Sequence, residues 1–311
     1  MNNFTVESLG TKIYINSEVD LFCLFQNMKI FSHLPDMKLS KEPTINDNYN
    51  INYCDNNLRK FCYDGFNASV DYPIDEINND HSLIYISGPL IEKQRQEKYN
   101  LTCHASCLSK DGEAVLLLGP KGSGKTSMAL QLLSNGYSLI SNDICVIDYS
   151  EKDKIYALGG TKFLNVRKNV AKIEVPNLVE NMDYNSEFKL SNSYILDPRK
   201  IGFSIEKKRT PITAAYILNI NNNFEKLTEV SGNELTTKLY LAEDFSRYIR
   251  GTSFYFINSK LGNVEGYIPS FDNEELCRER QNFINFLISE FGISKLNGNS
   301  KDVKQFLLKK L

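Results

Sequence analysis

Over the first 95 residues the apolar positions come in short bursts set among polar ones. TKIYIN (11–16) alternates apolar and polar side chains, the period of a half-buried strand. DLFCLF (20–25) is a short apolar run that fits either a strand or a helix. The stretch 41–57 is rich in Asn, Asp and Pro and reads as loop. SLIYISG (82–88) reads as a strand ended by Gly and Pro, and the charged EKQRQEKY (92–99) as a solvated helix or linker.

The pattern sharpens beyond residue 100. EAVLLLG (113–119) is an apolar run ending at Gly, as a fully buried parallel strand does. KTSMALQLLSNG (125–136) holds good helix formers, apolar at 128, 132 and 133, and stops at Gly136. YSLISNDICVID (137–148) is a second apolar run interrupted by Asn142 and Asp143. YALGG (156–160) and KFLNV (162–166) are strand and turn material, and ITAAYILNI (212–220) is a buried strand or short helix. NELTTKLYLAEDFSRYIRG (233–251) has helical spacing and a Gly stop. Residues 273–292 form the clearest amphipathic helix, with Leu276, Phe283, Phe286, Leu287 and Phe291 on one face. Residues 302–311 close the chain as a short helix, and no internal repeat or low-complexity segment appears. The fold class is α/β. A smaller β-rich N-terminal region spans 1–95, a candidate for substrate recognition, and a larger domain spans 96–311.

Composition narrows the class. The 311 residues, 41% apolar and 24% charged, suffice for a buried core without disulfides or a structural metal. Trp is absent, so 17 Tyr and 18 Phe supply the aromatic core. Thirty-six Lys and Arg nearly balance 38 Asp and Glu, which argues against a protein that coats nucleic acid or an anionic membrane. No run of 18 apolar residues exists to span a bilayer, and MNNFTVESLG has neither the charged nor the apolar part of a signal peptide. Seven irregularly spaced Cys do not make a disulfide framework, so a reduced, cytoplasmic protein is expected.

Gly119-Pro120-Lys121-Gly122-Ser123-Gly124-Lys125-Thr126 fits G-x-x-x-x-G-K-[ST] at every fixed position, between an apolar strand and a helix. The glycines let the backbone curl so that successive N–H groups face a phosphate. The helix that follows adds the positive end of its dipole. In such a loop Lys125 reaches the β- and γ-phosphates and Thr126 places its hydroxyl on Mg²⁺. The nucleotide-binding residues are therefore 119–127, from Gly119 through Ser127. The chain has no Asn/Thr-Lys-x-Asp and no Asp-x-x-Gly, which argues against a guanine-nucleotide switch. It has no Leu-Ser-Gly-Gly-Gln either, which argues against a transporter-type ATPase.

The flanks extend the motif. Cys103-His104-Ala105-Ser106, Gly112-Glu-Ala-Val-Leu, the loop, and Gly136-Tyr-Ser-Leu-Ile-Ser-Asn142-Asp143 form one continuous block. It resembles the catalytic domain of HPr kinase/phosphorylase, and still more the HPr-kinase-like serine kinases of peptide natural-product clusters, lasso-peptide kinases among them. The resemblance covers 100–150 firmly, 151–260 through order and spacing, and 1–95 not at all. It implies a P-loop core akin to phosphoenolpyruvate carboxykinase, with ATP and Mg²⁺ as cofactors. It implies that His104 lies beside the phosphates and that Asp143, the second of an Asp-Asp pair, joins Thr126 on the metal. Lys125, Asp143 and His104 are then the catalytic candidates.

Asn142 departs from that pattern, because it stands where the family has the Asp that takes the substrate serine's proton. An amide is no base near pH 7. Asp143 or His104 takes over, or the nucleophile needs little deprotonation, as a loose phosphoryl-transfer transition state allows. The departure also puts reverse phosphorolysis in doubt. Asp148 is a rival metal ligand. Lys162, after Gly159-Gly160-Thr161, and Arg167 and Arg250 are cations placed to neutralise phosphate or merely to face solvent. Cys103-His104-x-x-Cys107 lacks the second pair that a zinc site needs.

Three functions remain open. The first is an ATP-dependent kinase acting on a hydroxyl, typically Ser, of a peptide or protein such as a natural-product precursor. The second acts on a small sugar- or nucleoside-like hydroxyl. The third is a nucleotide-binding regulator that has lost catalysis, which Asn142 suggests. A nucleotide is the expected partner, nucleic acid and membrane are not, and assembly of identical copies stays open.

Overall fold

A computed structural model of the chain describes residues 2–27, 34–41, 49–77, 82–186, 192–250 and 270–310. The chain forms two compact units, one of Met1–Leu101 with Phe245–Arg280 and the other of Thr102–Asp244 with Gln281–Leu311. It is a mixed α/β protein, and no described helix is long and apolar enough to cross a membrane.

The first unit begins with strands β1 (Phe4–Ser8) and β2 (Thr11–Ser17), then helix α1 (Phe22–Asn27). Strands β3 (Lys38–Ser40), β4 (Asn50–Cys54), β5 (Lys60–Tyr63) and β6 (Asn67–Asp71) follow, then α2 (Ile74–Ile77) and α3 (Ser82–Gln96). The described strands make one sheet in the order β3-β1-β2-β4-β6-β5. Its central neighbours β2, β4 and β6 run parallel. The alternation in β2 buries Thr11, Ile13, Ile15 and Ser17 on one face, as its period requires.

For this unit one open reading is settled and two expectations are corrected. DLFCLF is helical from Phe22, because Asp20 Oδ1 accepts the Phe22 N–H at 2.9 Å and caps the turn. The Asn-rich stretch read as loop contains β4 at the centre of the sheet, with Ile51 and Tyr53 buried. Its asparagines pair across the parallel strands: Asn16 Nδ2 donates to Asn52 Oδ1 at 2.9 Å and Asn50 Nδ2 to Asn67 Oδ1 at 2.8 Å. The segment read as a strand at 82–88 opens α3. Leu83, Ile86, Leu90 and Ile91 make a helical stripe of buried residues that the short apolar run disguises.

The charged end of α3 is not solvated. Glu92, Lys93, Arg95 and Gln96 are buried; Lys93 Nζ donates to Tyr63 Oη at 3.0 Å and to the Gly65 carbonyl, and the other three are tied together. Arg95 Nη2 donates to Ser8 Oγ at 2.6 Å and to Ser8 O at 3.1 Å, and Arg95 Nη1 lies 3.8 Å from Glu92 Oε2. Gln96 Nε2 donates to Glu92 Oε1 at 2.8 Å, and Arg280 Nη1 donates to Gln96 Oε1 at 2.6 Å.

The second unit continues through β7 (Asn100–Cys103), β8 (Ser106–Lys110), β9 (Glu113–Leu118), α4 (Lys125–Leu133), β10 (Ser138–Ser141), β11 (Cys145–Asp148) and β12 (Tyr156–Gly160). Then come β13 (Leu164–Arg167), α5 (Lys168–Glu174), α6 (Val179–Asn185), β14 (Ser193–Leu196), the long β15 (Thr210–Ile220), β16 (Thr228–Ser231) and α7 (Leu235–Ser246). Helix α8 (Glu274–Phe286), which belongs to the first unit as far as Arg280, strand β17 (Ser294–Gly298) and α9 (Ser300–Lys310) complete the chain. The main sheet runs β10-β8-β9-β15-β12-β11-β7, with β17 against β15 and β16 against β17. Asp111 and Gly112, both left-handed (φ 53° and 87°), make the tight turn between β8 and β9. ITAAYILNI is strand, and β15 lies parallel to β9 from Ile212 to Ile217. Of the five positions expected on one face of α8, Leu276, Phe283 and Leu287 are buried. Phe286 and Phe291 are half-buried, and Ile284 and Ile288 are buried where a π-helical turn takes over at Leu287–Phe291.

Arg95→Ala takes the Arg95 cation from beside the buried Glu92, and breaking a buried pair costs about 3–5 kcal/mol. Urea unfolding should show that deficit, and a smaller one for the paired change Glu92→Gln with Arg95→Met. An Arg95→Ala protein as stable as the parent would show that the ion pair does not hold the unit together.

Candidate phosphate-loop site

The loop starts where β9 ends at Leu118 and finishes where α4 begins at Lys125, so it sits at the carboxyl ends of the parallel strands β9 and β15. That is where α/β sheets present loops and helix N-termini to a phosphate. β15 anchors it, because Ile220 N–H donates to Ser123 O at 3.0 Å. Two glycines are obligatory. Gly119 has φ 141°, and a Cβ there would lie 2.5 Å from Ser123 Oγ and 2.8 Å from Leu218 O. Gly124 caps α4 at φ 96°, and its Cβ would lie 2.8 Å from Ile220 Cβ.

Lys125 is buried, and its Nζ donates to Gly119 O at 2.5 Å and Pro120 O at 3.1 Å. The ammonium is thus folded over the mouth of the loop by the loop's own carbonyls. Pro120, Lys121 and Gly122 are exposed, while Thr126 and Ser127 are half-buried on the first turn of α4. Ser123 is buried, and its Oγ has no hydrogen-bond partner within the described protein.

The turn between β10 and β11 supplies the acidic group. Asp143 stands in the left-handed region at φ 66°, a conformation Asp tolerates better than most residues. Burial raises its carboxyl above the usual carboxylate range, and the Lys125 ammonium pulls the other way. The two charges predicted from the motif are therefore within electrostatic reach of each other.

Asn142 does different work. It is fully buried, and both ends of its amide are used: Ser106 Oγ–H donates to Oδ1 at 3.0 Å, and Nδ2 donates to Phe163 O at 3.2 Å. Its N–H donates to Thr161 O at 2.7 Å, Thr161 N–H donates to Ile144 O at 3.0 Å, and the Thr161 hydroxyl bonds to Asn142 O. Asn142 and Thr161 thus fasten the turn that aims Asp143. Lys162 Nζ donates to Ile140 O on β10, so this cation is spent on the same turn.

Other expected residues fall elsewhere. Asp148 closes β11 at the end away from the turn. Burial would raise its carboxyl, but bonds from Ser150 and Arg209 outweigh this and hold it below the ordinary range. Arg209 Nε lies 3.0 Å from Asp148 Oδ2. Asp148 is an ion-pair partner, which explains it without a metal. Arg167 is exposed at the junction of β13 and α5, and Arg250 belongs to the first unit. Cys103, Cys107 and Cys145 are buried, and Cys103 Sγ donates to the Cys145 backbone carbonyl at 3.5 Å. Among the described residues no group of three or more His, Cys, Asp or Glu is arranged to hold a metal ion.

Two residues were missed from sequence, both on α7. Tyr240 Oη accepts the Gly119 N–H at 2.7 Å, and Asp244 Oδ2 accepts the His104 N–H at 3.0 Å. His104 itself is half-buried in the turn between β7 and β8. The only hint was the spacing of four, which puts a Tyr and an Asp on one helical face.

No family model matches the chain, and no curated protein matches it. Among solved structures the chain is similar to the Hpr(Ser) kinase/phosphatase from Coxiella burnetii, at 17% identity and a TM-score of 0.25. The likeness covers 39% of this chain and 66% of that one, just under two thirds of its length. A likeness at that level assigns no residue here, and the reading of the site rests on the contacts above.

Asn142→Asp places a carboxylate oxygen against the Phe163 carbonyl in place of a donor, at a cost of about 1–3 kcal/mol. Denaturant titration should show that loss at pH 8 and less of it at pH 4, where the protonated acid donates again. An unchanged or more stable variant would mean that the amide is not what fastens the turn.

Proposed function

We propose that the second unit is an ATP-dependent kinase that transfers the γ-phosphate to a hydroxyl, typically Ser, of a peptide or protein acceptor. The observation that carries this reading is a glycine loop at the carboxyl ends of two parallel strands, with Lys125 Nζ held on the loop's own carbonyls. Backbone N–H groups of 119–124 and the N-terminus of α4 offer the partial positive charge that a triphosphate needs.

In this account Lys125 leaves its perch on the Gly119 and Pro120 carbonyls to neutralise the transferring group. Thr126 and Asp143 offer hydroxyl and carboxylate oxygens, the hard donors that suit Mg²⁺. When bound, the ion supplies charge neutralisation at the phosphates. The acceptor oxygen forms its bond to the γ-phosphorus, the bond to the bridging oxygen breaks, and ADP leaves. The acceptor's proton passes to Asp143 or His104. Asn142 takes no part, because its amide is committed to Ser106 and Phe163. Positioning and charge dominate phosphoryl transfer, so a weak base suffices.

Asn142 also keeps alive a nucleotide-binding protein without transfer, which would bind Mg-ATP yet modify nothing. Incubation with Mg-ATP and candidate acceptor peptides separates the two, since transfer adds about 80 Da per phosphate. Lys125→Ala should cut the rate at least about 100-fold, the scale of losing one charge-stabilising donor. No mass shift with any peptide, protein or small hydroxyl acceptor would contradict the kinase reading.

Asp143→Asn should also abolish transfer while behaving oppositely in stability. A raised carboxyl favours the folded state below its ordinary pKa, and that advantage is lost as pH rises through the raised value. The Asn variant should therefore melt above the parent at pH 7 and level with it at pH 3. A variant that melts lower at pH 7 would show that the ionised Asp143 stabilises the fold.

A further inference from the structure

We infer that Tyr240 and Asp244 are positioning residues that set the phosphate loop and His104 from one face of α7. The inference deepens the proposed ATP site and rests on that reading. The two residues are four apart, so they share a helical face. Leu235 and Leu239, on another face of the helix, are 71% and 61% exposed, whereas Asp244 is buried. The polar pair is thus the packed side of α7.

Each residue holds a backbone donor rather than a side chain. Tyr240 Oη takes the N–H of Gly119, the glycine whose carbonyl carries Lys125 Nζ. The two groups flank the Gly119 Cα, so a shift of that residue shifts the lysine's perch. Gly119 has little other freedom, since Ser123 Oγ and Leu218 O crowd the place of a Cβ. Asp244 Oδ2 takes the N–H of His104 through a charge-assisted bond, stronger than a neutral one. One rigid helix so fixes two parts of the site that lie on different strand ends. The predicted consequence is a common reference: Lys125 and His104 keep their separation because both are referred to α7.

Removing either acceptor should loosen the site without unfolding the unit. Tyr240→Phe deletes only the hydroxyl. Mg-ATP binding should weaken about 3- to 10-fold, the scale of one neutral hydrogen bond. Amide exchange over 119–124 should speed up, with the melting temperature close to the parent's. Asp244→Asn retains an oxygen acceptor without the charge, so exchange at His104 should speed up only part of the way, and parental exchange there in Asp244→Leu would overturn the role given to Asp244. Asp244→Leu should lose the His104 protection and, because a larger change risks the fold, is judged against the Asn variant.

Hydrogen exchange and nucleotide binding are read together on the full chain. Tyr240→Phe with parental exchange at 119–124 and parental affinity would overturn the inference. Faster exchange with parental affinity would overturn it as well, since the contact would then be structural only. If the parent protein fails to bind Mg-ATP, the kinase reading falls and the positioning role in it falls too. Binding by the parent that survives Tyr240→Phe sinks the positioning role alone.

Discussion

The parallel pairing of β9 with β15 is the constraint on which the site depends. It brings the end of β9 beside Leu218 and Ile220, and the loop has to turn within that space. Gly119 and Gly124 approach β15 so closely that a methyl at either would overlap it. The same closeness lets Ile220 N–H hold Ser123 O, so the loop is an extension of the sheet edge rather than a free excursion. Two loop carbonyls accept hydrogen bonds from the buried Lys125 ammonium; a buried ammonium without partners would cost several kcal/mol.

The opposite pole is the turn between β10 and β11, where two adjacent residues divide structure from chemistry. Asn142 turns inward and spends every polar atom on Ser106, Thr161 and Phe163. Asp143, in the left-handed conformation, is largely buried, and the Lys125 ammonium lies within electrostatic reach of its carboxyl. The amide at 142 suits its surroundings, since a carboxylate has no proton for the Phe163 carbonyl. This explains the residue without invoking a lost function. It leaves Asp143 as the acidic group of the turn.

What was legible in the chain follows from which constraints are local. The loop could be read because its glycines answer to backbone geometry within eight residues. The strand at 11–17 could be read from its alternation, the strand at 113–118 from an apolar run ended by Gly, and the helix at 125–133 from its spacing and Gly stop. β4 could not, because its asparagines look like loop until the neighbouring strands supply matching asparagines to pair with. α3 was mistaken at its start because four buried side chains spread over nine positions resemble a short strand when only the first few are weighed. The return of 245–280 to the first unit had no sequence signal at all. Tyr240 and Asp244 were invisible for the same reason, since their partners are backbone N–H groups 121 and 140 residues away.

The central claim is that the loop grips the phosphates of ATP through Lys125. Phosphorus NMR of Mg-ATP titrated with the full chain tests it at the atoms concerned. The account predicts that the β- and γ-phosphate resonances shift or broaden with the parent protein and stay at their free positions with Lys125→Ala. Resonances that remain free with the parent protein, or that respond equally to both proteins, would contradict it.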